Sequence, residues 1–226
     1  MGRGAEWTEE DLKDLDEQLG RLPKKFTVES TSLREIRMEP QSAGVAGFND
    51  GQIISVKSGE VDWALIHEIG HNFDNENPKW KQFQAISGWK DVSGKFDKIS
   101  DDYEGNSYVP HEGTARLKRD GKIYKDGDMI DLDGDGTIDG IVQVQHGKVK
   151  IHSDKANFYA PYQAKDPYKD IYAAVNPLED FAETFKYFFQ DPESLKKKSP
   201  EKFQFMVDYV GYDPTQAVYR PVPIRI

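Results

Sequence analysis

The stretch VDWALIHEIGHNFD, residues 61–74, decides the interpretation of this sequence because it contains the pattern H-E-x-x-H. Residues four apart lie on one face of a helix, so His67 and His71 can direct two imidazole nitrogens to one point. Glu68 follows His67 directly and can reach a water molecule bound there. This arrangement favours a zinc site with an adjacent general base.

An apolar stripe supports the helix. Val61, Leu65, Ile69 and Phe73 recur every four residues, as on a helix that faces a core. Gly70 lies between the histidines and has no side chain, which would let another backbone pack closely. The alternative is a chance occurrence of the pattern on an ordinary buried helix, because short motifs carry a real false-positive risk.

Composition limits the classes of protein and of metal site. The 226 residues suit one domain, which we expect to span residues 1–226. The chain has no cysteine, so zinc would be bound by His, Asp or Glu side chains. The formal net charge of −10 argues against a nucleic-acid partner.

The start of the chain bears on its location. The first four residues are not followed by an apolar core, so the sequence shows no signal peptide. We expect a secreted, extracellular protein whose signal peptide is absent from this sequence, and a cytoplasmic location stays open. No apolar run is long enough to cross a membrane. We expect a monomer.

Local patterns predict further elements around the histidine helix. A capping-box start followed by leucines at helical spacing predicts a helix over residues 8–22. Alternating or apolar runs predict strands at residues 25–29 and 52–57, with a glycine-rich loop at residues 44–51 between them. The strand at residues 52–57 could be an edge to which an extended peptide adds, or an ordinary sheet strand.

Residues 121–153 differ in character from the rest of the chain. Short alternating runs separated by Asp-Gly and His-Gly turns predict β-hairpins. Within them, the oxygen-bearing residues have the spacing of a calcium loop. The candidate ligands are Asp131, Asp133, Asp135, Thr137 through its carbonyl, and Asp139. The twelfth position is Val142 and not the glutamate of an EF-hand, so we predict a calcium loop within a hairpin. A solvated acidic turn is the alternative.

Residues 171–190 predict a helix that carries two glutamates. Asn176 is a good N-cap and Pro177 suits the first helical position. A catalytic zinc site has three protein ligands, and Glu179 can complete the set begun by the two histidines. Glu183 lies one turn further on and can accept the N–H of a ligating histidine. The alternative is that both glutamates are solvated helix residues.

The segment YAAVNPLEDFAETF at residues 172–185, together with HEIGH, resembles the gluzincin metallopeptidases. The resemblance is greatest to the catalytic domain of anthrax-toxin lethal factor and to the related Pro-Pro endopeptidases. It covers residues 44–74 and 171–209 as two blocks. It implies that Tyr172 stabilises an oxyanion, that Glu179 is the third zinc ligand and that Glu183 matches the family's second glutamate.

The resemblance also implies a fold. We expect an α+β, zincin-like metallopeptidase domain with an active-site helix, a small mixed sheet and a helical C-terminal half. His71 and Glu179 are 108 residues apart, which is longer than expected between the two motifs of the family. We assign the extra length to a β-rich insertion at residues 113–153, which carries the calcium-type loop.

These observations together predict a zinc-dependent endopeptidase that hydrolyses peptide bonds in a peptide or protein substrate. A zinc-activated water would attack the peptide, with Glu68 as general base and Tyr172 as a donor to the oxyanion. The expected cofactors are Zn²⁺ and, in the acidic loop, Ca²⁺. The alternative from another class is a calcium-stabilised binding or adhesion module with a catalytically inert metal site.

Overall fold

The computed structural model describes residues 6–39, 46–73, 78–100, 113–145, 147–153, 155–158 and 172–216. Within these ranges the chain forms six α-helices and three small sheets, which confirms the α+β class. The helices are α1 (Glu9–Gly20), α2 (Val61–His71), α3 (Trp80–Ser87), α4 (Pro177–Gln190), α5 (Pro192–Lys198) and α6 (Pro200–Val210). The strands are β1 (Glu35–Glu39), β2 (Gly47–Asn49), β3 (Ile53–Lys57), β4 (Trp89–Asp91), β5 (Phe96–Ser100), β6 (Thr114–Leu117), β7 (Ile123–Lys125), β8 (Met129–Ile130), β9 (Gly140–Gln145) and β10 (Lys148–His152).

The first sheet packs against the histidine helix. Its strand order is β1–β3–β2, with β1 parallel and β2 antiparallel to the central strand β3. Residues 54–56 of β3 are buried, as expected for a short strand covered on both faces. Helix α2 contacts β2 and β3 of this sheet and also packs against α1 and α4. The two histidines therefore stand on a core helix.

An aromatic core joins α4 to the N-terminal part of the chain. Phe181, Phe185 and Phe188 of α4 are fully buried. The ring of Phe26 meets that of Phe185 edge-on, with 5.1 Å between the ring centroids, and meets that of Phe73 at 4.9 Å. Edge-to-face pairs of this kind stabilise by about 0.5–1.5 kcal/mol beyond the area that they bury.

Two local predictions are wrong. Residues 25–29 form no strand, because a short 3₁₀ turn at Lys24–Phe26 places the Phe26 ring alone into the core. The backbone there is bonded locally, with the Phe26 N–H donating to the Pro23 carbonyl at 2.9 Å. Residues 47–49, predicted as part of a loop, form strand β2 instead, because they pair with the exposed edge of β3.

The β-rich part has a hydrophobic cluster of its own. Its sheets are antiparallel, with strand orders β4–β10–β9–β8 and β5–β6–β7. The predicted hairpins are present as β8–β9 and β9–β10. The buried members of the cluster extend from Phe96 to Ile151, so it begins before the predicted insertion at residues 113–153. The division into one domain with an insertion stays a prediction.

None of the helices in the described ranges combines the length and apolar character needed to cross a membrane.

Asp11 ties the start of α1 to the turn before α2. It completes a capping box with Thr8, and its carboxylate also accepts the Ser58 hydroxyl at 2.8 Å and the Gly59 N–H at 2.9 Å. Burial by itself raises the pKa of Asp11, but the bonds from Thr8, Gly59 and Ser58 outweigh it. They lower the pKa from 3.8 to about 2.

We expect Asp11→Ala to lower the free energy of unfolding at pH 7 by about 2–3 kcal/mol, since it removes the N3 half of the capping box and several charge-assisted bonds. A carboxyl with a lowered folded pKa stabilises above its unfolded pKa and loses that effect as the pH falls through the folded pKa. The difference between the two proteins should therefore shrink between about pH 4 and pH 2, given the pKa of about 2. Urea unfolding at pH 7 and pH 3 measures it, and the exposed Asp16→Ala on the same helix is the control. A difference that is independent of pH would contradict this role.

Candidate metal centre

The close approach of α2 and α4 builds the centre. A Cβ atom added at Gly70 would lie 3.1 Å from the Ala182 Cα and 3.3 Å from the Phe185 Cβ. Contacts that short are tighter than nearly all real Cβ contacts, so the absent side chain lets the two helices meet backbone to backbone. This contact carries the glutamate flank of α4 to the histidine flank of α2.

Three predicted ligands come together at this contact. His67 Nε2 lies 3.0 Å from Glu179 Oε2 and 3.1 Å from His71 Nε2. The third separation, from His71 Nε2 to Glu179 Oε2, is 3.3 Å. These three residues are one of two groups of potential metal ligands in the described part of the chain. The fit between α2 and α4 thus converts two sequence-distant motifs into one cluster.

The triangle of ligand atoms matches the size of zinc. Zinc–nitrogen and zinc–oxygen bonds of about 2.0–2.1 Å at tetrahedral angles place neighbouring ligand atoms about 3.3 Å apart. The measured separations of 3.0, 3.1 and 3.3 Å are close to that edge length. Two imidazoles and one carboxylate would leave a fourth zinc position for water or another ligand, where zinc acts as a Lewis acid. The donor set therefore fits Zn²⁺.

Glu183 orients the first histidine. Its Oε1 accepts the N–H of His67 Nδ1 at 2.8 Å, and its side chain is only 8% exposed. With the proton on Nδ1, the Nε2 lone pair faces Glu179 and His71, which is the tautomer that a metal needs. The sequence predicted this orienting position for Glu183, and its contact with His67 is the one that a carboxylate–histidine–metal triad requires.

Charge around the ligands favours a cation. Burial lowers the pKa of His67, but hydrogen bonds to Glu179 and Glu183 outweigh burial, and its pKa is raised. Burial raises the pKa of Glu179, and hydrogen bonds from His67 and His71 more than reverse this, so its pKa is well below the usual range. Carboxylates that hold a proton on a buried histidine can also hold a metal ion in its place.

The side chain of Glu68 extends from α2 toward strand β2. A Cβ at Gly47 would approach its Cγ and Oε1 to 2.8 Å, so the glycine leaves space for the Glu68 side chain. Desolvation by burial raises the pKa of Glu68 despite the nearby His67 and His71. The structure thus places a carboxyl with raised proton affinity beside the ligand cluster and outside the ligand set.

Tyr172 also lies at the cluster. It belongs to a 3₁₀ turn at Tyr172–Ala174, directly before α4, and its ring centroid is 5.5 Å from that of His67. Burial raises the pKa of its phenol, and the charges of Glu179 and Glu68 raise it further, so the hydroxyl keeps its proton. The residue as a whole is 47% exposed, so it lies at the boundary between the cluster and solvent.

The sequence interpretation missed Lys186. It is buried on α4, and its Nζ donates to Glu183 Oε1 at 2.6 Å. Its position three residues after Glu183 is the spacing at which helical side chains pair, and that spacing was the available signal.

The acidic loop between β8 and β9 gathers part of its predicted ligand set. Carboxylate oxygens of Asp131, Asp133 and Asp139 lie within 4.8 Å of one another, and Asp135 is not in that group. Asp131 accepts the N–H groups of Gly134 at 2.6 Å and of Gly136 at 2.9 Å. These bonds close the turn through its own backbone, so a calcium ion here stays a prediction.

We expect calcium to raise the melting temperature by about 3–6 °C at about 5 mM, the effect of a site with an affinity typical of extracellular modules. The comparison is thermal unfolding with calcium and with a calcium-selective chelator, while zinc is kept saturating. Asp133→Asn should reduce the shift, because it removes one charged ligand. Equal melting temperatures in the two conditions would leave a solvated acidic turn.

The comparisons with known proteins identify relatives of a different description. Mlc titration factor A of Serratia proteamaculans strain 568 is 25% identical over 170 residues, which cover 70% of this chain and 56% of that protein. Mlc titration factor A of Yersinia pestis strain Pestoides F is 25% identical over 196 residues, which cover 81% of this chain and 65% of that protein. The corresponding protein of Yersinia pseudotuberculosis serotype O:1b matches to the same extent. The chain spans between about half and two thirds of the length of these relatives. No family model and no solved structure matches it.

These names contradict the functional predictions. The relatives are named for the titration of Mlc and not for peptide hydrolysis. The predicted relationship to gluzincin metallopeptidases of the lethal factor type, the assignment as a zinc endopeptidase and the description as a hydrolase are therefore wrong. The alternative of a calcium-stabilised adhesion module gains no support from the names either.

The error has a physical origin. The two motifs specify side chains that can hold a metal ion, and a metal-ligand geometry is not a reaction. The motifs located side chains that lie together in the structure. The step from this cluster to peptide hydrolysis rested on the position of Glu68 beside the ligands and on the family resemblance.

Proposed function

We propose that this protein binds one zinc ion through His67, His71 and Glu179 and acts by binding a protein partner. The observation that supports zinc is the triangle of ligand atoms, with separations of 3.0, 3.1 and 3.3 Å. The support for a partner is the name of the relatives, which describes titration of Mlc. Titration means that one protein is taken up by another in a defined ratio.

The finer description of the fold belongs to the same proposal. A histidine helix packed against a small mixed sheet, together with a carboxylate from a second helix, supports the zincin-like arrangement expected from the sequence. We propose it as a description of how the metal is held. It carries no claim about hydrolysis.

Metal analysis tests the first half of the proposal. Protein dialysed against buffer with trace zinc should contain one zinc per chain, and a chelator should remove it. His71→Ala protein prepared in parallel is the matched control for adventitious metal. A wild-type protein with the same low zinc content as this variant would overturn the zinc assignment.

Calorimetric titration with purified Mlc from Yersinia pestis tests the second half. We expect a saturable complex of fixed stoichiometry, which size-exclusion chromatography should show as one co-eluting peak. The experiment should use each protein at about 100 μM, a concentration above the dissociation constant of most specific complexes. Absence of both heat and co-elution under these conditions would overturn the proposal that the partner is Mlc or a protein like it.

The two halves are linked by repeating the calorimetry with zinc-free protein. A fourth zinc position is open to a nitrogen or oxygen of a bound partner. If the metal takes part in docking, removal of zinc should weaken the complex. Equal affinity of the zinc-loaded and the zinc-free protein for the partner would show that the metal takes no part in docking.

A further inference from the structure

Helix α4 carries a buried lysine, Lys186, which is not one of the proposed zinc ligands. Lys186 has a side chain that is 1% exposed, although lysine is among the residues least often buried without a partner. Removing an ammonium group from water costs free energy, so its surroundings must compensate for the lost hydration.

Three groups surround the Lys186 ammonium nitrogen. It donates to Glu183 Oε1 at 2.6 Å. It also lies 4.8 Å from the centre of the Trp63 ring and 4.7 Å from that of Tyr187, which are cation–π distances. Two of these partners lie at the zinc site, because Glu183 bonds to His67 and the Trp63 ring is stacked parallel to that of His67.

The shared oxygen is the decisive detail. Glu183 Oε1 accepts both the Lys186 ammonium at 2.6 Å and the His67 Nδ1–H at 2.8 Å. The lysine thus holds the one carboxylate oxygen that orients the histidine. It also balances the negative charge of Glu183, which lies next to a second carboxylate, Glu179, at the same histidine.

We propose that Lys186 is a positioning residue of the zinc site. By fixing Glu183 Oε1 on Nδ1 of His67, it keeps the Nε2 lone pair directed at the metal. The chain of contacts runs from the metal position through His67 and Glu183 to Lys186, with the Trp63 ring covering its outer end. This inference rests on the proposed zinc binding.

Zinc affinity measured by competition with a chromophoric chelator at constant pH tests the inference. Loss of a group that orients a ligand typically weakens metal binding by about 10–100-fold, which we expect for Glu183→Gln. Lys186→Met should weaken binding by about 10-fold, the lower end of the same range, because it acts through Glu183. Lys186→Arg keeps the positive charge and a donor and should recover most of the affinity.

A double-mutant cycle separates positioning from a merely structural role. If Lys186 acts through Glu183, adding Lys186→Met to Glu183→Gln should change the affinity by no more than about twofold. If Lys186 only stabilises the fold, the two losses should multiply. Multiplying losses, or a wild-type affinity in Lys186→Met, overturns the inference.

Two controls make the result decisive. Lys196→Met removes an exposed lysine and should leave zinc affinity unchanged, which accounts for net charge. Lys186→Gln is the second neutral variant, and circular dichroism in the presence of chelator shows which of the two folds. Wild-type affinity in whichever neutral variant folds contradicts the positioning role.

NMR of the metal-free proteins adds a measurement on the folded state that does not depend on the free energy of unfolding. The Nδ1–H proton of His67 should give a resolved, slowly exchanging signal in the wild type and an exchange-broadened signal in Lys186→Met, because its bond to Glu183 loosens. An unchanged Nδ1–H signal would contradict the inference. Failure of the wild-type protein to bind zinc would instead overturn the proposed function, so the two failures are distinct.

Discussion

Replacing His71 with alanine is expected to lower the affinity for zinc by about 10²–10³-fold. Structural zinc sites bind with about 10–16 kcal/mol over four ligands, so one ligand contributes about 2.5–4 kcal/mol. His71 Nε2 is one corner of the triangle, 3.1 Å from His67 Nε2 and 3.3 Å from Glu179 Oε2. Removal of that corner leaves two protein ligands.

Two carboxylate variants provide the comparison. Glu179→Gln should weaken zinc binding to a similar degree, because Glu179 Oε2 is the third corner of the triangle. Glu68→Gln should change the affinity by no more than about threefold, since it removes a nearby charge and no ligand atom. Competition titrations at one pH measure all three variants against the wild type.

The ordering of the variants tests the register of α4. Should Glu183→Gln remove zinc completely while Glu179→Gln keeps it, the third ligand would be Glu183 and the assignment of Glu179 would be wrong. Equal zinc affinity in His71→Ala and the wild type would remove the metal site from this protein.

Replacing Lys202 with methionine is expected to lower the free energy of unfolding by about 3–5 kcal/mol, the usual effect of breaking a buried ion pair. Lys202 and Asp180 are both fully buried and hydrogen-bonded to each other. Asp180 also accepts the indole N–H of Trp89 at 3.0 Å. Methionine has nearly the length of lysine, so the variant removes the charge and leaves the Asp180 carboxylate unbalanced without opening a large cavity.

The destabilisation should depend on pH. Desolvation raises the pKa of Asp180 even with Lys202 present, and methionine removes the cation that opposes this. A group with a raised folded pKa contributes stability at low pH and loses it as the pH rises through the folded pKa. Lys202→Met should therefore be closer to the wild type at pH 5 than at pH 8.

Urea unfolding of the zinc-free proteins at the two pH values measures both effects. The control is Lys196→Met, whose exposed pair with Asp213 at 3.6 Å should contribute no more than about 1 kcal/mol. The double variant with Asp180→Asn should recover part of the loss, because no buried charge is then unpaired. A loss below that of the exposed control would mean that this pair does not stabilise the fold.

Much of the local structure was predictable from short-range patterns. The capping box at Thr8 and the Asn176 cap with Pro177 are present as predicted, because these residues satisfy helix N–H groups within one turn. The strand predicted at residues 52–57 is present as Ile53–Lys57. The failure at residues 25–29 involves the Phe26 ring, whose contact with Phe185 is distant in sequence. Residues 47–49 pair with the nearby strand β3, and their glycine-rich surroundings were interpreted as a loop.

The sequence predicted the candidate ligands and the supporting Glu183, and it missed the other residues that support the site. His67 and His71 stand one helical turn apart, so their convergence follows from local geometry. Glu179 could be placed beside them only through the resemblance and the helix cap. The Lys186–Glu183 pair had a local signal in its spacing of three residues. The approach of Trp63 to Lys186 and the space that Gly47 leaves for Glu68 depend on how separate elements pack, which no local pattern encodes.

The prediction of function also depended in part on local spacing. Ligand spacing indicates which cation a cluster can hold, because metal–ligand distances are fixed by ion size and donor type. It does not indicate what the protein does with that cation, and the relatives' names overturned the predicted hydrolysis.

The sequence by itself determined the helix that carries both histidines, the capped helix that carries both glutamates and the absence of thiolate ligands. The tertiary structure alone decided that the two helices meet at Gly70, which places Glu179 Oε2 within 3.0 Å of His67 Nε2. It also decided that Lys186 is buried beneath Trp63 against Glu183. The reason is physical: helix periodicity acts over a few residues, whereas the register between two helices is set by the packing of every side chain between them.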